Sequence, residues 1–188
     1  MAGKSIWYEE CDKGWLDLIP SVITCEYEQG KFTPIYTSIH LPEQDLDDFH
    51  KFPRCTVQCI REDFAYSRYD TGLGTMISHS GNSATFKRSS VPYFLVYQLN
   101  FYAQFKSDID RITRQWRAFC GRAFSLPVTL ATGDTHKCNV DLLSTRNNDA
   151  VEREVRRYIR SYTYRVWVDL DGETYKANIV TNTNYTKN

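Results

Sequence analysis

Residues 91–116 change the spacing of their large apolar side chains partway along, and this change constrains the fold more than any other feature of the sequence. In 93–102, one face of an extended strand carries an apolar residue at every second position: Tyr93, Leu95, Tyr97, Leu99 and Phe101. Further on, the spacing becomes four and three, as in an amphipathic helix: Phe105, Ile109, Ile112, Trp116, Phe119 and Ala123. The segment therefore predicts a long strand that runs almost directly into a helix.

The ends of this helix also have sequence signals. Ser107, with Asp110 three residues later, forms a capping pattern and predicts a helix start, while Gly121 predicts the end. Three arginines lie off the apolar stripe: Arg111, Arg114 and Arg117. We interpret them as a solvated helix face rather than as a phosphate-binding site.

The C-terminal third of the chain predicts more strands and one more helical segment. A hairpin is expected around Gly133 and Asp134, followed by a helix start with Asn148 or Asp149 as its cap. From residue 162 the apolar residues alternate strictly, which predicts a strand with Tyr164, Val166 and Val168 on one face. The pair Asp171 and Gly172 predicts a two-residue hairpin that leads into a last strand.

The N-terminal half has weaker signals. The first twenty residues fit either a short helix that Pro20 stops or an extended arm, whereas 21–27 and 54–60 have strand composition. Residues 63–90 are rich in Ser, Gly, Asn, Asp and Thr. We predict a long loop or projecting hairpin there, with Gly81 and Asn82 at its tip.

Together these segments predict one α+β domain over residues 1–188. It has a mostly antiparallel sheet of five to seven strands, packed by one main amphipathic helix, with a long projecting loop or hairpin. The divisions are N-terminal strands or an arm (1–50), the projecting excursion (63–90), a strand–helix–hairpin–strand core (91–181) and a polar tail (182–188). The residues predicted to form the core scaffold are Leu95, Tyr97, Leu99, Phe101, Ile109, Ile112, Trp116, Tyr164, Val166 and Val168.

Charge and composition limit the classes of function. The 23 Lys and Arg residues balance 23 Asp and Glu residues, so no overall field attracts nucleic acid or an anionic membrane. The sequence has no apolar run long enough for a membrane span and no signal-peptide pattern at its start. We therefore expect a protein made and kept in the cytosol, with its six cysteines as free thiols.

The sequence predicts no enzyme, cofactor or metal site. The cysteines include no C-x-x-C pair, and the four histidines are dispersed without metal-ligand spacing. A hydrolase that uses His79 or His136 with a nearby serine or cysteine is the weakest of the alternatives, because no motif supports it.

A nucleic-acid-binding module is the main alternative function. Residues 153–162 interleave arginines with Tyr158 and Tyr162, and such surfaces can stack bases and hold phosphates. The arginines are Arg153, Arg156, Arg157 and Arg160. The structural interpretation of the same residues is a charged helix face, partly neutralised by Glu152 and Glu154.

Four segments carry a resemblance to a known family. They are "FPRCTVQCIREDFAYSRYD" (52–70), "VPYFLVYQLNFYAQFKSDIDRITRQW" (91–116), "SLPV" (125–128) and "RSYTYRVWVDL" (160–170). In this order they resemble the neck and tail-completion proteins of tailed bacteriophages, of the tail-terminator or sheath-stabiliser type.

The resemblance implies a non-enzymatic virion protein that forms a ring, usually six-fold, at the tail or neck. Such a ring caps the tail tube or joins the tail to the head, after assembly in the host cytoplasm. The implied partners are further copies of the chain, the tail tube or sheath protein and the head–tail connector proteins, with no membrane. In a mixed case, some of the four arginines would line a channel and contact the genomic DNA transiently.

Overall fold

The computed structural model describes residues 6–39, 52–68, 75–80, 83–152, 155–171 and 174–178. The predicted hairpin tip at Gly81 and Asn82 and the polar tail (182–188) lie outside the described residues. The helices are α1 (Tyr8–Val22) and α2 (Lys106–Cys120). The strands are β1 (Thr24–Glu28), β2 (Lys31–Pro34), β3 (Tyr36–Ser38), β4 (Arg54–Phe64), β5 (Thr75–Ser80), β6 (Ser83–Lys87), β7 (Val91–Ala103), β8 (Ala123–Thr129), β9 (Thr135–Asn147), β10 (Ala150–Glu152), β11 (Val155–Leu170) and β12 (Thr174–Asn178).

The fold is α+β, with a mixed but mostly antiparallel main sheet. Its strand order is β3-β4-β7-β11-β9-β8, and β10 also pairs with β11. All its pairs are antiparallel except β3 with β4. The two longest strands lie at the centre, where β11 pairs with β7 from Leu170 and Val91 to Tyr158 and Ala103. The predicted long aromatic strand is therefore an inner strand.

Helix α2 follows β7 as predicted, with differences at its ends. It begins after Phe105, which has extended backbone and makes no side-chain capping bond, so the predicted Ser107 cap is wrong. Gly121, with a φ of 50°, ends the helix as predicted. The outer members of the predicted apolar stripe do not join the core: Phe105 and Phe119 are 66% and 45% exposed. Cys120 is buried at that end instead.

Helix α1 resolves the ambiguity of the first twenty residues. The chain forms a helix here rather than an arm, and Pro20 lies inside its last turn instead of stopping it. At the start, the Trp7 N–H donates to the Glu10 carboxylate at 3.0 Å. A Cβ on Gly14 would lie 2.7 Å from the carbonyl oxygen of Pro127. The helix therefore lies directly against β8, the last strand of the main sheet.

The helix predicted after Asn148 is wrong, because residues 150–152 and 155–170 form two strands. The Asn148 amide donates to the Ser161 hydroxyl at 3.1 Å, and Asp149 accepts from the Ile159 N–H at 3.2 Å. The expected capping residues thus bind the neighbouring strand. Residues 150–152 pair with 155–157, and from Tyr158 onward β11 pairs with β7. These ladders outweigh the local helical spacing, since propensity is a weak prior against strand pairing.

The hairpin predicted at Asp171 and Gly172 is also wrong. Strand β11 is an inner strand, with β7 on one side and β9 on the other, so β12 does not fold back onto it. Instead β12 pairs with β6, which also pairs with β5. We call β5, β6 and β12 the projecting sheet. It contains the hairpin expected in 63–90, with a third strand that the end of the chain supplies.

The hydrophobic core lies between the two helices and one face of the main sheet. All ten residues predicted as core scaffold are buried there: Leu95, Tyr97, Leu99, Phe101, Ile109, Ile112, Trp116, Tyr164, Val166 and Val168. The Trp116 indole donates to the Tyr164 hydroxyl at 2.8 Å, which satisfies two buried polar groups. Trp15 of α1 is fully buried and its ring lies against the rings of Tyr97 and Tyr164.

Candidate interaction surfaces

The face of the main sheet that points away from the helices carries a shallow groove of about 420 Å³. We call it the open-face groove. It lies across β4, β7, β11 and β9, and its main lining residues are Ile60, Val96, Gln98, Leu143, Arg146 and Thr163. Its floor belongs to the two central strands, so the most rigid part of the fold supports it.

In the described part of the chain, four strands contain a β-bulge, and each bulge places a large hydrophobic residue at the surface. The extra residues are Tyr27, Ile60, Ile77 and Leu143. Their exposed fractions are 37%, 46%, 54% and 45%. A bulge adds one residue to a strand and redirects side chains, so it can expose an apolar residue without shifting the rest of the strand out of register with the core. Ile60 and Leu143 form opposite walls of the open-face groove.

The polar groups on the groove floor and wall mostly bind one another. The Gln98 side-chain amide donates to the side-chain oxygen of Asn100 at 2.9 Å, and the Asn148 side-chain amide donates to the Ser161 hydroxyl at 3.1 Å. Arg61 pairs with Asp63 at 2.8 Å. Arg146 is exposed and makes no ion pair within the described part of the chain.

An aromatic and arginine cluster covers the same face beyond the groove. The Arg165 guanidinium lies 4.8 Å from the Phe94 ring centroid and 5.3 Å from that of Trp167. Asp141 accepts hydrogen bonds from Arg165 at 3.1 Å and from the Trp167 indole at 2.7 Å. Arg68 also lies over the Trp167 ring, and its guanidinium carbon is 5.0 Å from the ring centroid. The charges of this cluster are therefore largely satisfied inside the chain.

The projecting sheet is the second exposed surface. All six residues of β5 are exposed, including Met76 at 53% and Ile77 at 54%. Among the described side chains of the projecting sheet, only Ala84 is buried. An ion pair between Lys87 and Asp171, at 3.2 Å, connects the sheet to the end of β11. The described side chains of this sheet therefore form almost no core of their own.

The four arginines predicted as a DNA-channel or interface set do not form one described surface. Arg160 pairs with Asp149, and its side chain is 16% exposed. Arg157 lies over the Phe52 ring at 5.5 Å, and the alternation of β11 places it on the other face of the strand. Arg153 and the side chain of Arg156 lie outside the described residues.

The two tyrosines between these arginines face the core. Tyr158 packs against it, and Tyr162 is 2% exposed. The Tyr162 ring is stacked on that of Tyr164, with 6.3 Å between centroids. Neither ring offers an open face for stacking a base.

The two histidines of the hydrolase alternative lie apart. His79 is on the exposed strand β5, and His136 is at the start of β9 beside a cavity of about 490 Å³. Neither makes a hydrogen bond with a serine or cysteine in the residues that the structure covers. Within those residues no three metal-ligating side chains come together.

Five of the six cysteine thiols have a raised pKa, and the exception is Cys138, whose pKa the hydrogen bond with Cys11 lowers. The same hydrogen bond, followed by burial, raises the pKa of Cys11. Burial raises the pKa of Cys25 to about 12 and that of Cys59 to about 11. Because the thiolate is the reactive form, a raised pKa makes a cysteine a poorer nucleophile.

The comparisons with known proteins give no further assignment. No protein-family model matches the chain, and no curated protein matches it significantly. Among the described residues, neither helix is long and apolar enough to cross a membrane.

The bulges were not predicted from the sequence, although a signal for them is present. In β4 the alternation of Cys55, Val57 and Cys59 is broken by Ile60. In β9 and β5 the corresponding signal is an adjacent apolar pair, Leu142 with Leu143 and Met76 with Ile77. Two neighbouring apolar residues interrupt the alternation of a strand, and a bulge at one of them keeps the residues on either side in register with the core.

Proposed function

We propose that this chain is a structural virion protein of a tailed bacteriophage, which forms a ring at the head–tail neck. The ring terminates or completes the tail and joins it to the head connector. Its partners are other copies of the chain, the tail tube or sheath protein and the connector proteins. Its role is structural rather than catalytic.

The projecting sheet is the observation that carries this proposal. A sheet of three strands needs a hydrophobic face packed against something, and here nearly all the described side chains of β5 and β6 are at least partly exposed. Its outer strand β5 has Met76 and Ile77 at the surface and an edge that pairs with no other described strand. Contact with a neighbouring subunit would bury this apolar surface and protect the edge.

The resemblance in the sequence adds support. The segment with the strand-to-helix change is a continuous unit of β7, α2 and β8, and the last resembling segment lies in β11, paired with β7 along its length. The resembling segments thus belong to one packed core, while the projecting sheet lies outside it. This arrangement suits a subunit in which a common scaffold carries a separate contact element.

The test is assembly of the purified full-length chain. We expect light scattering after size-exclusion chromatography to show a ring-sized oligomer at high protein concentration, and negative-stain images to show closed rings. Mixed with tail tubes of the same phage, the chain should bind at one tube end only. A chain that stays monomeric at every concentration and binds no tube end contradicts the proposal.

A further inference from the structure

We propose that the open-face groove of one subunit receives Met76 and Ile77 of the neighbouring subunit's projecting sheet. This inference rests on the proposed function, because it describes how copies of the chain would contact each other in the ring. It assigns two separate surfaces on every copy, one that receives and one that inserts.

The receiving surface has two apolar walls around a narrow floor. Ile60 lies on β4 and Leu143 on β9, so three strand spacings, or about 14 Å, separate them. Between them the floor includes Val96, which is 3% exposed. No residue of the projecting sheet lines the groove, so the chain does not cover it with its own β5.

Covering the groove leaves few polar groups without partners. The amides of Gln98 and Asn148 already bind Asn100 and Ser161. Burying a polar group is costly chiefly when its hydrogen bond is lost, and these bonds lie within the sheet surface. The exception is Arg146, which makes no ion pair in the described structure and can donate to carbonyl groups on the free edge of an incoming strand.

The inserting surface has matching chemistry. Strand β5 contains no Asp, Glu, Lys or Arg, so it brings no unpaired like charge toward Arg61 and Arg146. Met76 can adapt to an irregular wall because its side chain is unbranched. Ile77 is the extra residue of a bulge, as Ile60 and Leu143 are on the receiving side. The three bulges thus expose apolar residues on both sides of one contact.

The two surfaces differ, so the contact is heterologous. A heterologous contact produces a closed ring when its rotation closes and a filament when it does not. A self-complementary contact would stop at a dimer. This pairing therefore explains how a chain of this fold could form a ring through one repeated contact.

Complementation between two defective variants tests the pairing directly. Ile77→Asp damages the inserting surface, and Leu143→Asp damages the receiving surface. Phe105→Asp is the control, because Phe105 is also an exposed large hydrophobic residue, at 66%, but lies at the start of α2 on the helix side. We expect Ile77→Asp and Leu143→Asp each to weaken self-association at least about tenfold and to elute as monomers. Phe105→Asp should still form rings.

Mixing Ile77→Asp with Leu143→Asp at equal amounts should give a dimer that contains one copy of each. The Ile77→Asp variant supplies an intact groove and the Leu143→Asp variant an intact β5. A single native contact therefore forms, and no further subunit can add to the pair. Light scattering gives the mass, and a tag on one variant gives the composition. If either charged variant fails to fold, Ile77→Ser and Leu143→Ser are used in the same mixture.

The outcomes separate this inference from the proposed function. A wild-type chain that never associates overturns the ring itself. Wild-type rings that survive Leu143→Asp or Ile77→Asp overturn the pairing and leave the ring in place. Two monomeric variants that form no mixed dimer also overturn the pairing, since both surfaces would then matter without touching each other.

Discussion

The main sheet and the projecting sheet differ in how their faces and edges are covered in the described structure. The main sheet buries one face under both helices, and α1 lies against its last strand β8, where Pro127 has no N–H to offer a further strand. The projecting sheet buries little more than Ala84 among its described side chains, and its outer strand β5 is exposed throughout. In the described structure the first sheet thus has a face and an edge covered by the chain itself, whereas the second has little cover; under the proposed function a neighbouring subunit supplies it.

We therefore expect the stability of the fold to depend on the main sheet and association to depend on the projecting sheet. Removing a side chain from the core under the main sheet should change folding, and changing a side chain of β5 should change association. Substitutions in the core and in β5 therefore test whether folding and association depend on different sheets.

The largest effect is expected for Trp116→Ala. The substitution leaves a large cavity against Phe101 and Tyr164 and removes the hydrogen bond to the Tyr164 hydroxyl. We expect a loss of about 3–5 kcal/mol in the free energy of unfolding, measured by urea denaturation. Phe119→Ala, in the same helix but 45% exposed, is the control and should cost much less. Equal losses for the two would mean that the core does not have the boundary described here.

A smaller loss is expected for Gly14→Ala. The added Cβ would lie 2.7 Å from the Pro127 carbonyl oxygen, a backbone atom that cannot rotate away, so α1 must shift from β8. We expect a loss of about 1–3 kcal/mol, despite the better helix propensity of alanine. Lys13→Ala, at an exposed neighbouring position of α1, should have little effect. A stabilised Gly14→Ala variant would show that α1 is free to move away from the edge.

The strand β7 and the helix α2 were predicted well from the sequence, because the apolar spacing in each describes the same buried face. In β7 the alternation of apolar residues, and in α2 their helical spacing, both describe one buried face, and all ten predicted scaffold residues are buried. At Asn148 and at Asp171 the local signal was misleading. The chain has a helix-capping pattern at one site and a hairpin pattern at the other, yet β11, which includes most of the predicted helix, and β12 both pair with strands distant in the sequence. Local patterns cannot show which distant strand offers an edge.

The candidate surfaces were harder to predict for a related reason. The number of arginines in 153–162 suggested an interaction surface, but Arg160 pairs with Asp149 and Arg157 lies over the Phe52 ring. The groove depends instead on Ile60 and Leu143, which are 83 positions apart in the sequence and ordinary in type. Only the sheet order brings them to one face.

A modest gain in stability is expected for Asp12→Asn. Burial raises the pKa of Asp12 above its ordinary value, even though the Tyr97 hydroxyl donates to it at 2.8 Å. The folded state therefore binds a proton more readily than the unfolded state, and ionisation destabilises the fold as pH rises through the folded pKa. Asparagine keeps an acceptor for Tyr97 without the charge.

The measurement for Asp12→Asn is the free energy of unfolding at several pH values. We expect the variant to exceed the wild type at pH 7 by less than about 1 kcal/mol, because the carboxyl is only half-buried. The two should converge at a pH below the unfolded pKa, near the ordinary value of 3.8. Asp17→Asn, exposed on the same helix, should show no such convergence. A variant that is less stable at neutral pH would mean that the charge of Asp12 supports the fold.

The smallest effect on folding is expected for Met76→Asp, and this prediction tests the other side of the comparison. Met76 is 53% exposed, so its replacement should change the free energy of unfolding by no more than about 0.5 kcal/mol. Leu99→Asp, which places a charge at a fully buried position of β7, is the contrasting variant and should prevent folding.

Hydrogen exchange adds a second measurement: amides of β7 and β11 should exchange slowly in the monomer, whereas those of β5 should become protected only on association. If β5 is already protected in a dilute monomer, or if Met76→Asp unfolds the chain, the projecting sheet belongs to the folding core and the division between the two sheets fails.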